Sequence, residues 1–161
     1  MKRIPHGLSV SGLKKSYPKI PKSDLIKDVL YVSTIKNYKH HWNLIDAVGR
    51  IREQGVDLNL HLVGGGSGSA LKKMKESIAR NSKYGEFVNV HGNLSFEDTE
   101  QWYYKADIFV YPSSCENFPN TLLEAMAAGR PIACSSRGPM PEILKDGGLY
   151  FNPESVDSIV S

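Results

Sequence analysis

This sequence predicts an α/β fold: a parallel sheet of about six strands with helices on both faces. Three observations carry that expectation. Short apolar runs of strand length recur at 29–32, 58–63, 87–90, 108–111, 132–134 and 149–151. Longer stretches with apolar residues at helical spacing lie between them. The runs read as apolar on both faces, with no in–out alternation, as strands buried between two helical layers do.

Each element has its own signal. The first run, Val29-Leu30-Tyr31-Val32, suits a buried strand. Over 41–53, Trp42, Ile45, Ala47, Val48 and Ile51 fall at helical spacing, and Gly55 stops the helix. The second strand runs into Gly64-Gly65-Gly66-Ser67-Gly68, a turn, followed by a helix over 70–79 with lysine-rich outer positions. A strand at 87–90, a helix at 95–104 and a strand at 108–111 come next. The helix over 120–128 opens with Asn120 as N-cap and is closed by Gly129. A strand at 132–134, a short helix at 141–145 and a last strand at 149–151 complete the alternation. Residues 1–27 lack periodicity, contain Pro5, Pro18 and Pro21, and read as an interdomain linker or N-terminal arm. One domain over 28–161 is expected. Pro153-Glu154-Ser155-Val156 reads as the start of a further helix close to Ser161, so a piece of a longer two-domain protein is expected.

Composition narrows the function. The chain has 161 residues, 40% apolar and 23% charged, enough for one ordinary domain with a core. Its formal net charge of +3 suits anionic small molecules or a membrane surface. No dense Lys/Arg run with interleaved aromatics points to nucleic acid. No apolar run approaches the ~20 residues of a membrane span, and Met1-Lys2-Arg3 does not lead into a signal peptide. Cys115 and Cys134 have no metal spacing and read as reduced thiols of a cytoplasmic protein.

In a parallel sheet of this kind, ligands bind beyond the carboxyl ends of the strands. The glycine run after the second strand invites a nucleotide reading, but its spacing fails both common fingerprints. Ser69 stands where GxGxxG needs glycine, and no Gly-Lys pair follows. A flexible turn at a sheet edge and a cradle of backbone amides for phosphate both remain open. The stretch Cys115-Glu116-Asn117-Phe118-Pro119-Asn120-Thr121 is more informative. A helix N-terminus carries free N–H donors and partial positive charge, which favour phosphate. Glu124 lies one turn inside that helix and leans back toward its start. Glu116 lies in the preceding loop. Carboxylates accept hydroxyl pairs well. Phosphate on the amides and hydroxyls on two carboxylates describe a sugar nucleotide. The plainer alternative makes Glu124 a partner of the helix dipole and Glu116 a solvated charge.

The segment from Glu116 to Ile132 resembles the Glu-x7-Glu segment of GT-B glycosyltransferases, especially the retaining family 4. The likeness extends in order over roughly residues 29–153: Tyr31-Val32-Ser33 with Lys39 and Leu44-Ile45-Asp46-Ala47, Leu60-His61-Leu62-Val63-Gly64, Val90-His91-Gly92-Asn93-Leu94, Ala106 to Ser114, Pro141-Glu142-Ile143 and Asp146-Gly147-Gly148. It implies a Rossmann-like donor-binding domain, the C-terminal half of a GT-B fold. The partner of that half is a nucleotide-sugar donor, and an N-terminal acceptor-binding domain is missing. The activity implied is metal-independent transfer of sugar to a saccharide or lipid-linked acceptor, in polysaccharide or glycan biosynthesis. No cofactor is implied beyond the donor itself, and peripheral membrane association of the full-length protein is compatible. The resemblance implies that Glu116 contacts the donor sugar, Glu124 holds ribose hydroxyls and Lys39 neutralises the diphosphate, with Glu116 and Lys39 the catalytic residues. Ser33, Thr34, Gly64, His91, Asn117, Phe118, Pro119, Asn120 and Thr121 complete the expected donor site; no metal ligand is expected. This sequence departs at Ser33-Thr34, where the family usually has Gly-Arg, and at His40, where Gly often follows the lysine. Two competitors are a sugar-nucleotide epimerase of the GT-B type, with another carboxylate pattern, and a dinucleotide-binding oxidoreductase domain, against which the failed GxGxxG argues.

Other residues read as structural. His40-His41 is a solvated or capping pair rather than a metal site, because adjacent residues do not share a helix face. Trp42 and Trp102-Tyr103-Tyr104 read as packing residues. His91 suits a contact to the base or a structural role. Ser113 and Ser114 lack a paired histidine and do not read as nucleophiles.

Overall fold

The computed structural model describes residues 27–161. Apart from Lys27, the arm expected over 1–27 lies outside the described residues. Six strands form one parallel sheet: β1 (Asp28–Val32), β2 (Asn59–Val63), β3 (Val88–Gly92), β4 (Ile108–Tyr111), β5 (Ile132–Ser135) and β6 (Leu149–Phe151). Their order is β3-β2-β1-β4-β5-β6. The helices are α1 (His41–Glu53), α2 (Gly68–Ala79), α3 (Tyr84–Phe87), α4 (Phe96–Lys105), α5 (Asn120–Ala128), α6 (Met140–Leu144) and α7 (Val156–Val160).

The strand order dictates the layers. The chain steps outward from β1 to β2 and β3, then returns past β1 to β4. Right-handed crossovers place α1 and α2 on one face and α4 and α5 on the other. Accordingly α1 packs against α2 and α7, and α4 packs against α5. Leu30, Leu60 and Phe109 are fully buried at the centre, and α1 presses Leu44, Ile45 and Val48 onto the sheet. Each such side chain contributes about 1.5–3 kcal/mol when taken out of water. Order reverses between β1 and β4. In sheets of this kind the ligand crevice lies at the carboxyl edge where strand order reverses, here between the loops leaving β1 and β4.

Local signals account for the helix ends. The Ser95 hydroxyl caps α4 by accepting the Asp98 N–H at 3.0 Å. Gly129 ends α5 at φ 65°, a left-handed conformation that costs glycine little.

Four expectations need correction. Phe87 closes the short helix α3 and does not begin the third strand, which starts at Val88. A four-residue helix shows no periodicity, so it left no trace in the pattern. β3 exposes Asn89 and Val90, because an edge strand is not covered on both faces. The helix after β4 is capped by Pro119, not Asn120: the Pro119 carbonyl accepts the Leu122 N–H at 3.0 Å, and no side chain caps the end. Asn120 is the first helical residue. Finally, the glycine run is not a flexible turn at a sheet edge. β2 lies between β1 and β3, and the run packs against the loop after β1. Ser33 donates its N–H to Val63 O and Ile35 its N–H to Gly65 O, both at 2.8 Å. A side chain at Gly66 would meet Ile35 Cβ at 2.5 Å.

Candidate functional site

The loop after β1 forms one wall of the crevice. It passes through a single 3₁₀ turn, Asn37–Lys39, and enters α1 through His40. His40 has φ 47° and ψ 38°. This left-handed conformation explains why glycine suits the position: a side chain there costs roughly 1 kcal/mol. His40 gains contacts in return. Its Nε2 lies 2.8 Å from Ser114 Oγ, and its ring meets Trp42 edge-on at 5.8 Å. The expectation that Ser114 lacks a histidine partner is thus corrected.

The loop after β4 forms the opposite wall, and among the described residues five polar contacts join the two, two of them long bonds from the Ser113 and Ser114 hydroxyls to Tyr38 O at 3.3 and 3.4 Å. In the first of the other three, Ser114 donates its N–H to Tyr38 O at 2.8 Å. The His40–Ser114 pair is the second. The third is an ion pair between Lys39 Nζ and Glu116 Oε1, both side chains about 15% exposed. A cation and a carboxylate therefore stand together at the point where strand order reverses. Below them, Tyr31 OH donates to Lys39 O at 3.2 Å and fixes the turn carrying the lysine.

The start of α5 is held from beneath by two buried tyrosines. Tyr111 OH donates to Thr121 O, and Tyr103 OH donates to Glu124 Oε2 at 2.7 Å. Burial drives both phenols far above their usual range, so both remain donors. The Leu122 and Leu123 N–H groups bond the Pro119 carbonyl, which leaves Asn120 and Thr121 to supply the N–H donors of the helix start. Glu116 and Glu124 are thus held by different partners, Lys39 and Tyr103, rather than by each other.

His41 is not the solvated or capping group expected. It is 1% exposed, its ring lies 4.7 Å from that of Tyr31, and its Nδ1 has no hydrogen-bond partner. Burial, then the charge of Lys39, lowers its pKa to about 4. The neutral form belongs to the fold, so the unfolded chain binds the extra proton. This group's contribution is therefore full above about pH 6.5 and is lost as pH falls toward 4. Between pH 7.5 and 5 it removes about 2 kcal/mol of unfolding free energy. Denaturant titrations at both pH values are expected to show that loss, and His41→Phe to remove most of it; an unchanged pH slope in the variant would contradict the assignment.

The remaining expected residues divide. Asn117 and Asn120 are exposed and Phe118 is half-buried between the two carboxylates in sequence, with Pro119 buried at the cap. Thr34 is exposed; Ser33 is buried, and its hydroxyl bonds the Thr34 carbonyl at 3.0 Å. Gly64 donates its N–H to Gly92 O at 2.7 Å. His91 sits at a register irregularity of β3 and turns onto His61 (Nε2 to Nδ1, 3.1 Å) and Trp102 (ring centroids 4.4 Å). His61 in turn meets Asp28 Oδ1 at 3.1 Å. Of the two readings of His91, these contacts support the structural one. Trp102 packs on these histidines, and Trp42 carries Lys73 Nζ 3.8 Å above its ring. Cys115 and Cys134 are free thiols, and burial pushes that of Cys134 up to about 12. Among the described residues no cluster of three or more His, Cys, Asp or Glu could hold a metal ion.

Tyr31, Tyr103, Tyr111 and Ser114 escaped the sequence reading as site residues. The signal for the tyrosines was weak: each is a phenol in an otherwise apolar run or a packed helix face, and a buried hydroxyl needs a partner.

The architecture agrees with what known proteins show. The family model described as Glycosyl transferases group 1 matches residues 26–161, and the chain belongs to that family. It is 38% identical over 82 residues to the O-antigen chain mannosyltransferase B of Escherichia coli, covering 51% of this chain and 21% of the relative. It is 33% identical over 135 residues to an uncharacterized glycosyltransferase of Methanocaldococcus jannaschii, covering 83% and 34%. Among solved structures, Anabaena HepE in complex with UDP and glucose shares the fold at TM-score 0.71 and 23% identity, over 83% of this chain and 36% of that one. The chain spans about a fifth to a third of the length of the curated relatives it matches.

Proposed function

We propose that residues 28–161 are the donor-binding, C-terminal half of a retaining, metal-independent GT-B glycosyltransferase that moves sugar from a nucleotide-sugar to a saccharide or lipid-linked acceptor. The observation that carries this reading is the Lys39–Glu116 pair, which joins the two loops of the switch-point crevice beside the start of α5. The solved relative with UDP and glucose and the relative that is a mannosyltransferase support a nucleotide-sugar donor.

In this reading the diphosphate lies against the α5 amides and Lys39. As the glycosidic bond breaks, negative charge grows on the departing diphosphate, and a preplaced ammonium stabilises it. Glu116 accepts hydroxyls of the sugar, and Glu124 those of the ribose. The donor is the substrate and no cofactor is required. Among the described residues no helix is long and apolar enough to cross a membrane. We place the activity in the cytoplasm, with lipid-linked acceptors reached at the inner face of a membrane.

The test is Lys39→Ala. A bond between a charged donor and phosphate is worth ~1.5–3 kcal/mol. The variant also leaves Glu116 unpaired beside the anion, which adds repulsion. Calorimetry is expected to show roughly a 10- to 150-fold loss for the nucleoside diphosphate and little for the nucleoside. Equal losses for both ligands would remove Lys39 from the diphosphate site.

A further inference from the structure

We propose that Tyr103 is a positioning residue for Glu124: its hydroxyl fixes one carboxylate oxygen and leaves the other to accept the ribose hydroxyls of the donor. The inference rests on the reading of Glu124 as the ribose-binding carboxylate.

Glu124 is the nearer of two acceptors that face the phenol. Tyr103 OH lies 2.7 Å from Glu124 Oε2 and 3.5 Å from Thr121 O. A phenol donates one proton, and a carboxylate at the shorter distance is the stronger acceptor. The Thr121 carbonyl already receives the Tyr111 hydroxyl. Tyr103 cannot drift, because it is 5% exposed and its ring packs against Phe109 with centroids 5.3 Å apart. Within α4 it is the one buried residue. The glutamate it holds is only half-buried, one turn into α5. A glutamate side chain has three rotatable bonds, and ordering them carries an entropy cost. Anchoring Oε2 meets that cost before the ligand arrives. It also sets the plane of the carboxylate, and with it the preference for a pair of adjacent hydroxyls.

The test is a comparison of ligands as well as of variants. Affinities of the full chain for UDP, GDP, ADP and their 2′,3′-dideoxy counterparts are measured by calorimetry for the wild type, Tyr103→Phe, Glu124→Gln and Glu124→Asp. The wild type is expected to prefer the ribose form of its best diphosphate, and Glu124→Gln to abolish that preference. Tyr103→Phe is expected to weaken the ribose form about tenfold, equivalent to about 1.4 kcal/mol, and to leave the dideoxy form unchanged. A purely structural role would weaken both forms alike. Glu124→Asp keeps the charge but withdraws the carboxylate by one methylene. It is expected to lose the preference too, which keeps the test open should Tyr103→Phe fail to fold. Full preference retained by Tyr103→Phe or by Glu124→Asp, with Glu124→Gln lacking it, would overturn the positioning role while sparing the ribose reading. A wild type with no preference, or no binding of any diphosphate, would remove the ribose reading and the inference together.

Discussion

Under the proposed function, the 161-residue chain alone is expected to transfer sugar to an acceptor at least about 10⁵-fold more slowly than the same chain joined to an acceptor-binding domain. This is the largest effect the proposed function implies. Holding two reactants in line supplies ~7–11 kcal/mol of a barrier, and each 1.36 kcal/mol is a factor of ten. The groups gathered at the crevice, Lys39, Glu116, Glu124 and the α5 amides, all suit the donor. In the proposed function a second body holds the acceptor. Slow hydrolysis of the donor fits the same view, since water needs no acceptor site. An assay with radiolabelled sugar and lipid-linked or oligosaccharide acceptors measures the difference. Efficient transfer by the chain alone would place the acceptor site on this domain.

Gly64→Ala is expected to lower the unfolding free energy by about 2–6 kcal/mol. Gly64 has φ 126°, and a Cβ built there falls 2.1 Å from Ser33 O and 2.7 Å from Ser33 C. The obstructing atoms are backbone, so no rotamer relieves the clash. Backbone strain costs about 1–3 kcal/mol and overpacking a further ~1–3 kcal/mol. That sum is a large part of the ~5–15 kcal/mol of a typical domain. The control is Gly85→Ala, where an added Cβ meets nothing within 4 Å, expected within about 0.5 kcal/mol of wild type. Urea denaturation of the two variants decides. A loss at Gly64 no greater than at Gly85 would contradict the close approach of the two loops. The second consequence is functional, since Ser33 to Ile35 carry the start of the wall that ends in Lys39.

The parallel sheet was legible because short apolar runs alternate with longer stretches of helical spacing, as at Trp42, Ile45 and Val48 before β2. Its edge was less so: Phe87 is apolar and adjoins Val88, and nothing in the local pattern says that a helix ends between them. Glycines announce themselves as punctuation, but only the packed structure separates a close approach at Gly64 from an open position at Gly85. Glu116 and Glu124 could be singled out as candidates from the sequence alone, because a helix start at the carboxyl edge of a parallel sheet has its own chemistry. Their partners could not. Ser114 meets His40 across 74 residues of sequence, and Tyr103 meets Glu124 across 21. Contacts between elements follow from strand order, which periodicity does not encode. The same limit misplaced His41: a polar residue at a helix start reads as solvated until Tyr31 is seen beneath it.

The central claim is that the crevice between β1 and β4 binds a nucleotide-sugar. Its most direct test is a two-dimensional ¹H–¹⁵N correlation titration of the chain with UDP-, GDP- and ADP-sugars. With at least one donor, saturable shifts are expected in the amides of 33–40 and 114–124, with α2 (Gly68–Ala79) unmoved. Shifts centred on α2, or no saturable shift with any of the three, would contradict the claim.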